Sequence, residues 1–263
     1  MSFFTVTNLT AGYDKRHVIG GVSFTLETGC LMGVLGANGS GKTTMLKAIC
    51  GILPHEGSCV LEDQKLEELS VRQLAKRCSY IPQRSGIGID IPVLDVVLMG
   101  FNPQLGILEH PTKAMEQAAL QALAQVGLAG KEQQNYLHLS EGQKQLCILA
   151  RTLVAGSKLL LLDEPESALD FRYRYKVLNL LNGWVKEQQS AAIVTLHDPG
   201  LALNYCENLL LLDEGKVLGV LHPKTDSLET MEQMLSKIYG SVSLQVCTAR
   251  SGKPQLVMLK EDV

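Results

Sequence analysis

The segment Gly36-Ala37-Asn38-Gly39-Ser40-Gly41-Lys42-Thr43 constrains this chain more than any other. It matches G-x-x-x-x-G-K-[ST]. It follows the almost continuously apolar run Leu31-Met32-Gly33-Val34-Leu35 and precedes Thr44-Met45-Leu46-Lys47-Ala48-Ile49, a run that suits a helix. A continuous apolar run fits a strand buried on both faces, as in a parallel sheet. Glycines let backbone N–H groups wrap phosphates without Cβ clashes. The helix N-terminus adds its partial positive charge. Lys42 would neutralise the β- and γ-phosphates of a nucleotide, and the Thr43 hydroxyl would ligate Mg²⁺.

A second run, Leu159-Leu160-Leu161-Leu162-Asp163-Glu164-Pro165, is a buried strand that ends in two carboxylates. At the carboxyl end of a parallel strand, Asp163 would hold Mg²⁺ through its water shell. Glu164 would polarise the water that attacks the γ-phosphate, which requires hydrogen-bond reach. The chain carries its own control. Leu209-Leu210-Leu211-Leu212-Asp213-Glu214 repeats the same six letters, but Gly215-Lys216-Val217-Leu218 follows, so this copy reads as a hairpin turn. Two more strands end in single polar residues: Ser79-Tyr80-Ile81-Pro82 at Gln83, and Ala191–Leu196 at His197. Ligands of open α/β sheets bind at that edge, so the four strand ends converge on one site. Leu139-Ser140-Glu141-Gly142-Gln143 precedes an amphipathic run, and Ser140 with Gln143 three residues on fits a capping box. A helix start of this kind also attracts phosphate.

The remaining pattern supplies the scaffold. Phe4–Leu9 and Val22–Leu26 alternate apolar and polar residues, as antiparallel strands with one wet face do. From about Pro92 to Val154 the pattern is helical, with good helix formers over Ala114–Val126 and an apolar stripe of Leu146, Leu149, Ala150 and Leu153. A helical insert thus interrupts an α/β domain. Beyond Leu221, Ser227–Tyr239 reads as a helix. Arg250-Ser251-Gly252-Lys253-Pro254 reads as a turn between two short strands.

Composition narrows the function. Among 263 residues, 24 are basic and 27 acidic, which argues against broad nucleic-acid binding. With 46% hydrophobic and 19% charged residues the chain is not of the disordered class. No uncharged apolar run nears the ~20 residues that span a bilayer, and no secretory signal is expected at the start. Seven cysteines, an odd number without C-x-x-C spacing, argue for small buried hydrophobes in a reducing cytosol rather than disulfides or zinc.

In this order, the motifs resemble the ATP-binding subunit of an ATP-binding cassette (ABC) transporter. The resemblance rests on Tyr13, Gly36–Thr43, Gln83, Leu139–Gln143, Asp163-Glu164, Ser167-Ala168-Leu169-Asp170 and His197. It implies a P-loop NTPase core with a mixed, mainly parallel sheet, an N-terminal antiparallel β subdomain and an inserted α-helical subdomain. On this reading 1–263 is a single ATPase domain. Segments 1–83 and 156–220 form the core, 84–155 the helical signature subdomain, and 221–263 a C-terminal helix and hairpin. The resemblance further implies that Tyr13 stacks on adenine, while Gly36, Asn38, Gly39, Ser40, Gly41, Lys42, Thr43 and Thr44 hold the nucleotide. Gln83 would contact Mg²⁺ and the attacking water, and His197 the γ-phosphate. Ser140, Gly142 and Gln143 would contact ATP bound to the opposite subunit, with Asp170 at that interface.

The implied assembly is a head-to-tail homodimer that closes on two ATPs and docks polytopic permease subunits at the cytoplasmic face of the membrane. A substrate-binding protein would join indirectly, and no nucleic acid would take part. Within the superfamily, Val96–Gly100 with Pro103 and Leu105-Gly106, Thr195–Pro199 with Ala202-Leu203, and the closing hairpin are similar to importers of iron–siderophore, haem and vitamin B12. Phe101-Asn102 departs from the Arg-Tyr pair common there. Glu141 replaces the family's usual Gly, and Glu166 a common Thr. The alternatives are a soluble ABC ATPase of iron–sulfur assembly or another non-transport process, and an unrelated P-loop kinase or GTPase.

Overall fold

The computed structural model describes residues 2–14, 16–83, 86–106 and 108–261. Two long strands, β1 (Phe4–Tyr13) and β2 (Arg16–Leu26), extend well beyond the alternating runs of the sequence. The all-buried β3 (Leu31–Leu35) leads into α1 (Lys42–Ile49). Next come β4 (His55–Leu61), β5 (Gln64–Lys65), α2 (Val71–Arg77) and β6 (Cys78–Ile81). The helical insert holds α3 (Val93–Leu98), α4 (Lys113–Val126) and α5 (Glu141–Ala155). The chain then alternates through β7 (Leu159–Asp163), α6 (Phe171–Glu187), β8 (Ala191–Thr195), α7 (Pro199–Tyr205) and β9 (Asn208–Asp213). It closes with β10 (Lys216–Leu221), α8 (Leu228–Tyr239) and the hairpin β11 (Val242–Thr248) and β12 (Pro254–Lys260).

The strands form a six-stranded sheet of order β10-β9-β3-β8-β7-β6, a four-stranded sheet β2-β1-β4-β5, and the terminal hairpin. In the first sheet only β10 runs antiparallel. Its leucine runs make sense once both faces are covered, because successive side chains point to opposite faces. Leu160, Leu162, Ala192, Val194, Leu209 and Leu211 join the core under the helical insert, α6 and α8. Leu159, Leu161, Ala191, Ile193, Leu210 and Leu212 join the core under α1 and the antiparallel sheet. At ~25 cal/mol per Å², burial of these aliphatic side chains on both faces is the main force holding the three layers together.

Both copies of the six-letter motif fall where the sequence puts them. The first forms β7, and the second forms β9 and turns through Asp213–Lys216 into β10. The C-terminal hairpin is fastened to α7 by a peptide-like clasp: Asn204 Nδ2 donates to the Leu256 carbonyl (2.8 Å), and the Leu256 N–H donates to Asn204 Oδ1 (2.9 Å). Five of the seven free cysteines are buried as expected, but Cys50 is half-buried and Cys247, on the hairpin, is exposed. Cys59 meets His55 and Glu67 in a small cluster, where Glu67 Oε1 accepts the Cys59 N–H and pairs with His55 Nε2 at 3.1 Å. Burial, reinforced by the Glu67 charge, pushes the Cys59 thiol well up, so it keeps its proton.

Candidate active site

The carboxyl edge of the parallel sheet explains which residues meet. Strands β3, β8, β7 and β6 lie side by side and point the same way. Their ends therefore deliver the Gly36–Thr43 loop, His197, Asp163-Glu164 and Gln83 to one rim.

The loop is tightly built. A Cβ on Gly36 would lie 2.2 Å from the Leu212 carbonyl and 2.5 Å from Ser40 Oγ, so only glycine fits there. Gly41 precedes α1 with φ +102°, a conformation costly for any other residue. The Lys42 ammonium folds back and donates to the carbonyls of Gly36 (2.8 Å) and Ala37 (3.1 Å). Burial lowers its pKa, while the charges of Glu164 and Asp163 pull it up. Ser40 Oγ is buried without a hydrogen-bond partner, as an atom awaiting a ligand oxygen would be. Thr44 is buried in the first turn of α1, and Asn38 and Gly39 face outward. Tyr13, nearly half-exposed, lines an open cleft with Arg16, His17, Val18, Gly39 and Glu214, and so flanks the loop from the antiparallel sheet.

Asp163 is the polar hub. Its Oδ1 accepts from Thr43 Oγ1 (3.1 Å) and Thr195 Oγ1 (2.9 Å), and its Oδ2 from the Tyr80 hydroxyl (3.3 Å). Burial first, then the Asp163 charge, pushes the Tyr80 phenol up, so it remains a donor. A hydroxyl and a carboxylate side by side form the hard oxygen pair that Mg²⁺ takes with retained waters, so Thr43 and Asp163 fit that ion.

Glu164 follows with φ +49°, its N–H donating to Thr195 Oγ1 (2.8 Å). Gln83 Nε2 donates to Glu164 Oε2 at 2.5 Å, and His197 Nε2 pairs with Oε1 at 2.5 Å. One buried carboxylate is thus held from both sides beside the Lys42 loop, an arrangement able to orient a water and accept its proton.

Ser140, Gly142, Gln143 and Asp170 stand outside this cluster. Ser140 and Gln143 complete the expected capping box (3.3 and 3.1 Å) at the start of α5. Glu141 pairs with Lys144 at 2.7 Å. Asp170 caps α6 through the Tyr173 N–H (3.0 Å). A Cβ on Gly142 would sit 3.1 Å from the Ala168 carbonyl, so the α5 start abuts the Ser167–Asp170 loop. Among the described residues no hydrogen bond or ion pair joins these four to Lys42, Thr43, Asp163, Glu164 or His197.

Sequence reasoning passes over Tyr80, Thr195 and Gln145. The first two reach Asp163, and Gln145 Nε2 donates to the Gln83 carbonyl (3.1 Å). Their only signal is position, as polar residues at or near the carboxyl ends of buried strands or in the first turns of α5.

Residues 19–167 match the ABC transporter family. An uncharacterized ABC transporter ATP-binding protein of Haemophilus influenzae is 35% identical over 88% of this chain and 87% of its own length. The hemin import ATP-binding protein HmuV of Bordetella pertussis is 37% identical over 89% and 90%. An ABC transporter assigned to the metal-chelate type, solved in an inward-facing conformation, superposes with a TM-score of 0.82 at 26% identity over 99% of both chains.

Proposed function

This chain belongs to the ABC transporter family as an ATP-hydrolysing subunit of an importer, and on that premise we propose that it powers uptake of an iron chelate, haem or cobalamin. The clasp of Glu164 between Gln83 and His197 supports its chemistry best. Backbone N–H groups of Gly36–Thr43, Ser40 Oγ and Lys42 bind the phosphates, and Tyr13 stacks on the base. Thr43 and Asp163, with Gln83, would hold Mg²⁺, which would supply neutralisation of the phosphate charge. Glu164 takes the proton of the attacking water, and His197 orients Glu164 and faces the γ-phosphate. Ser140, Gly142, Gln143 and Asp170 complete the site of a second copy, and polytopic permease subunits bind the dimer at the cytoplasmic membrane face. The division into a core (1–83 and 156–220), a helical segment (84–155) and a C-terminal extension (221–263) belongs to the same proposal. Arg84 and Ser85, at the start of that helical segment, lie outside the described residues.

Glu164→Gln should lower ATP hydrolysis by about 10²-fold or more, as loss of a general base does, while retaining ATP and a dimer by light scattering. Wild-type turnover in that variant would remove Glu164 from the role. The cargo is tested in proteoliposomes of the chain with the polytopic membrane protein that co-purifies with it. ATP-dependent uptake of ferric siderophore, haem or cobalamin supports the proposal, and uptake of a bare hydrated metal ion alone overturns the cargo class.

A further inference from the structure

Glu166 lies in the turn between β7 and α6 and is only 3% exposed. The turn does not need its side chain, because the Ser167 N–H donates to the Glu164 carbonyl and the Leu169 N–H to the Glu166 carbonyl, each at 3.1 Å. The carboxyl instead reaches across to the next strand end. Its Oε1 accepts the backbone N–H of His197 at 3.2 Å, and its Oε2 is buried without a hydrogen-bond partner. Burial pushes this carboxyl above its usual range, although its own backbone N–H and then the His197 N–H counter that. A buried carboxyl with one oxygen unpaired is costly, and an apolar side chain of similar size would pack there more cheaply.

The bond it does make falls on the one residue whose imidazole holds Glu164. His197 is therefore fixed twice, its ring by Glu164 and its main chain by Glu166. We infer that Glu166 is a positioning residue for His197. It ties the His197 backbone to the turn that follows Glu164. The inference rests on the proposed role of His197 and assigns Glu166 a part in it.

Two substitutions separate positioning from packing. Glu166→Gln keeps an oxygen for the His197 N–H, whereas Glu166→Met keeps length and volume without an acceptor. The inference expects Glu166→Met to lose about tenfold in kcat, the value of one well-placed hydrogen bond, with KM for ATP within about twofold. Exchange of the His197 amide, followed by NMR, should be faster in Glu166→Met. Glu166→Gln should restore both. Should the Met variant fold poorly, Glu166→Leu provides a second acceptor-free chain. A folded Met or Leu variant with wild-type kcat and His197 exchange would overturn the inference, as would a folded Gln variant as impaired as Met. The underlying reading fails separately, when Glu164→Gln hydrolyses ATP like wild type.

Discussion

Glu141 shows how one residue trades stability against charge. It occupies the first position of α5, where a carboxylate favours the helix by roughly 0.3–1 kcal/mol through the dipole. The same charge opposes a phosphate brought to that terminus. Lys144 answers part of it through the 2.7 Å ion pair, and the Ser140–Gln143 box starts the helix without help from Glu141. Glu141→Gly should therefore raise ATPase turnover of the assembled transporter by a few-fold. It should also cost about 1 kcal/mol of stability, since glycine holds a helix less well. Lys144→Met should act oppositely on turnover by leaving Glu141 unanswered. Unchanged or lower turnover in Glu141→Gly would show that the carboxylate does not face phosphate. The box was legible in the sequence because its partners are three residues apart. Tyr80 and Thr195 were not, because each acquires its partner, Asp163, only when neighbouring strands pair.

Among the elements, the β9–β10 hairpin has more to do with the phosphate loop than its sequence suggests. Asp213-Glu214-Gly215 reads as a turn and is one, yet Gly215 also braces the loop. Its N–H donates to the Ser40 carbonyl and its own carbonyl accepts from Gly20, both at 3.0 Å. A Cβ there would lie 2.1 Å from the Val18 carbonyl, and φ is +76°. Gly215→Ala should thus cost about 2 kcal/mol, from strain and displacement of β2, and should raise KM for ATP although Gly215 lies outside the expected phosphate ligands. A denaturant midpoint and a KM both at wild-type values would show that the hairpin is not a brace. The strands that sequence reading missed are those whose burial is irregular. β4 carries Gly57 at φ +95° in a register shift against β1, and only Cys59 and Leu61 are fully buried in it. α6 escaped for another reason: its apolar face, Val177, Leu178, Leu181 and Val185, starts only after partly exposed first turns in which the Phe171 ring packs at a tilt against Tyr175.

For the whole molecule, the layered core fixes one rim, and that rim gathers the expected site except Ser140, Gly142, Gln143 and Asp170. The all-apolar strands made the α/β class legible, because a strand without a polar face demands cover on both sides. They could not show that the α5 start and the Asp170 loop would lie together, abutting at Gly142 and Ala168, while unbonded to the Lys42 loop. Within one chain, the proposed contacts of Ser140 and Gly142 with ATP have nothing to act on. The proposed two-fold dimer would supply it, since symmetry that sets one α5 start against the other loop repeats the contact and makes two equal sites. This predicts complementation. Lys42→Ala loses the loop cation and Ser140→Arg blocks the α5 start, so each chain alone should hydrolyse ATP at background. In a mixed dimer one site carries both defects, but the other combines the intact loop of the Ser140→Arg chain with the intact α5 start of the Lys42→Ala chain. Mixing the two should restore a measurable part of wild-type turnover, rising to a maximum at equal amounts. Were each site complete within its own chain, no ratio of two dead chains would recover activity.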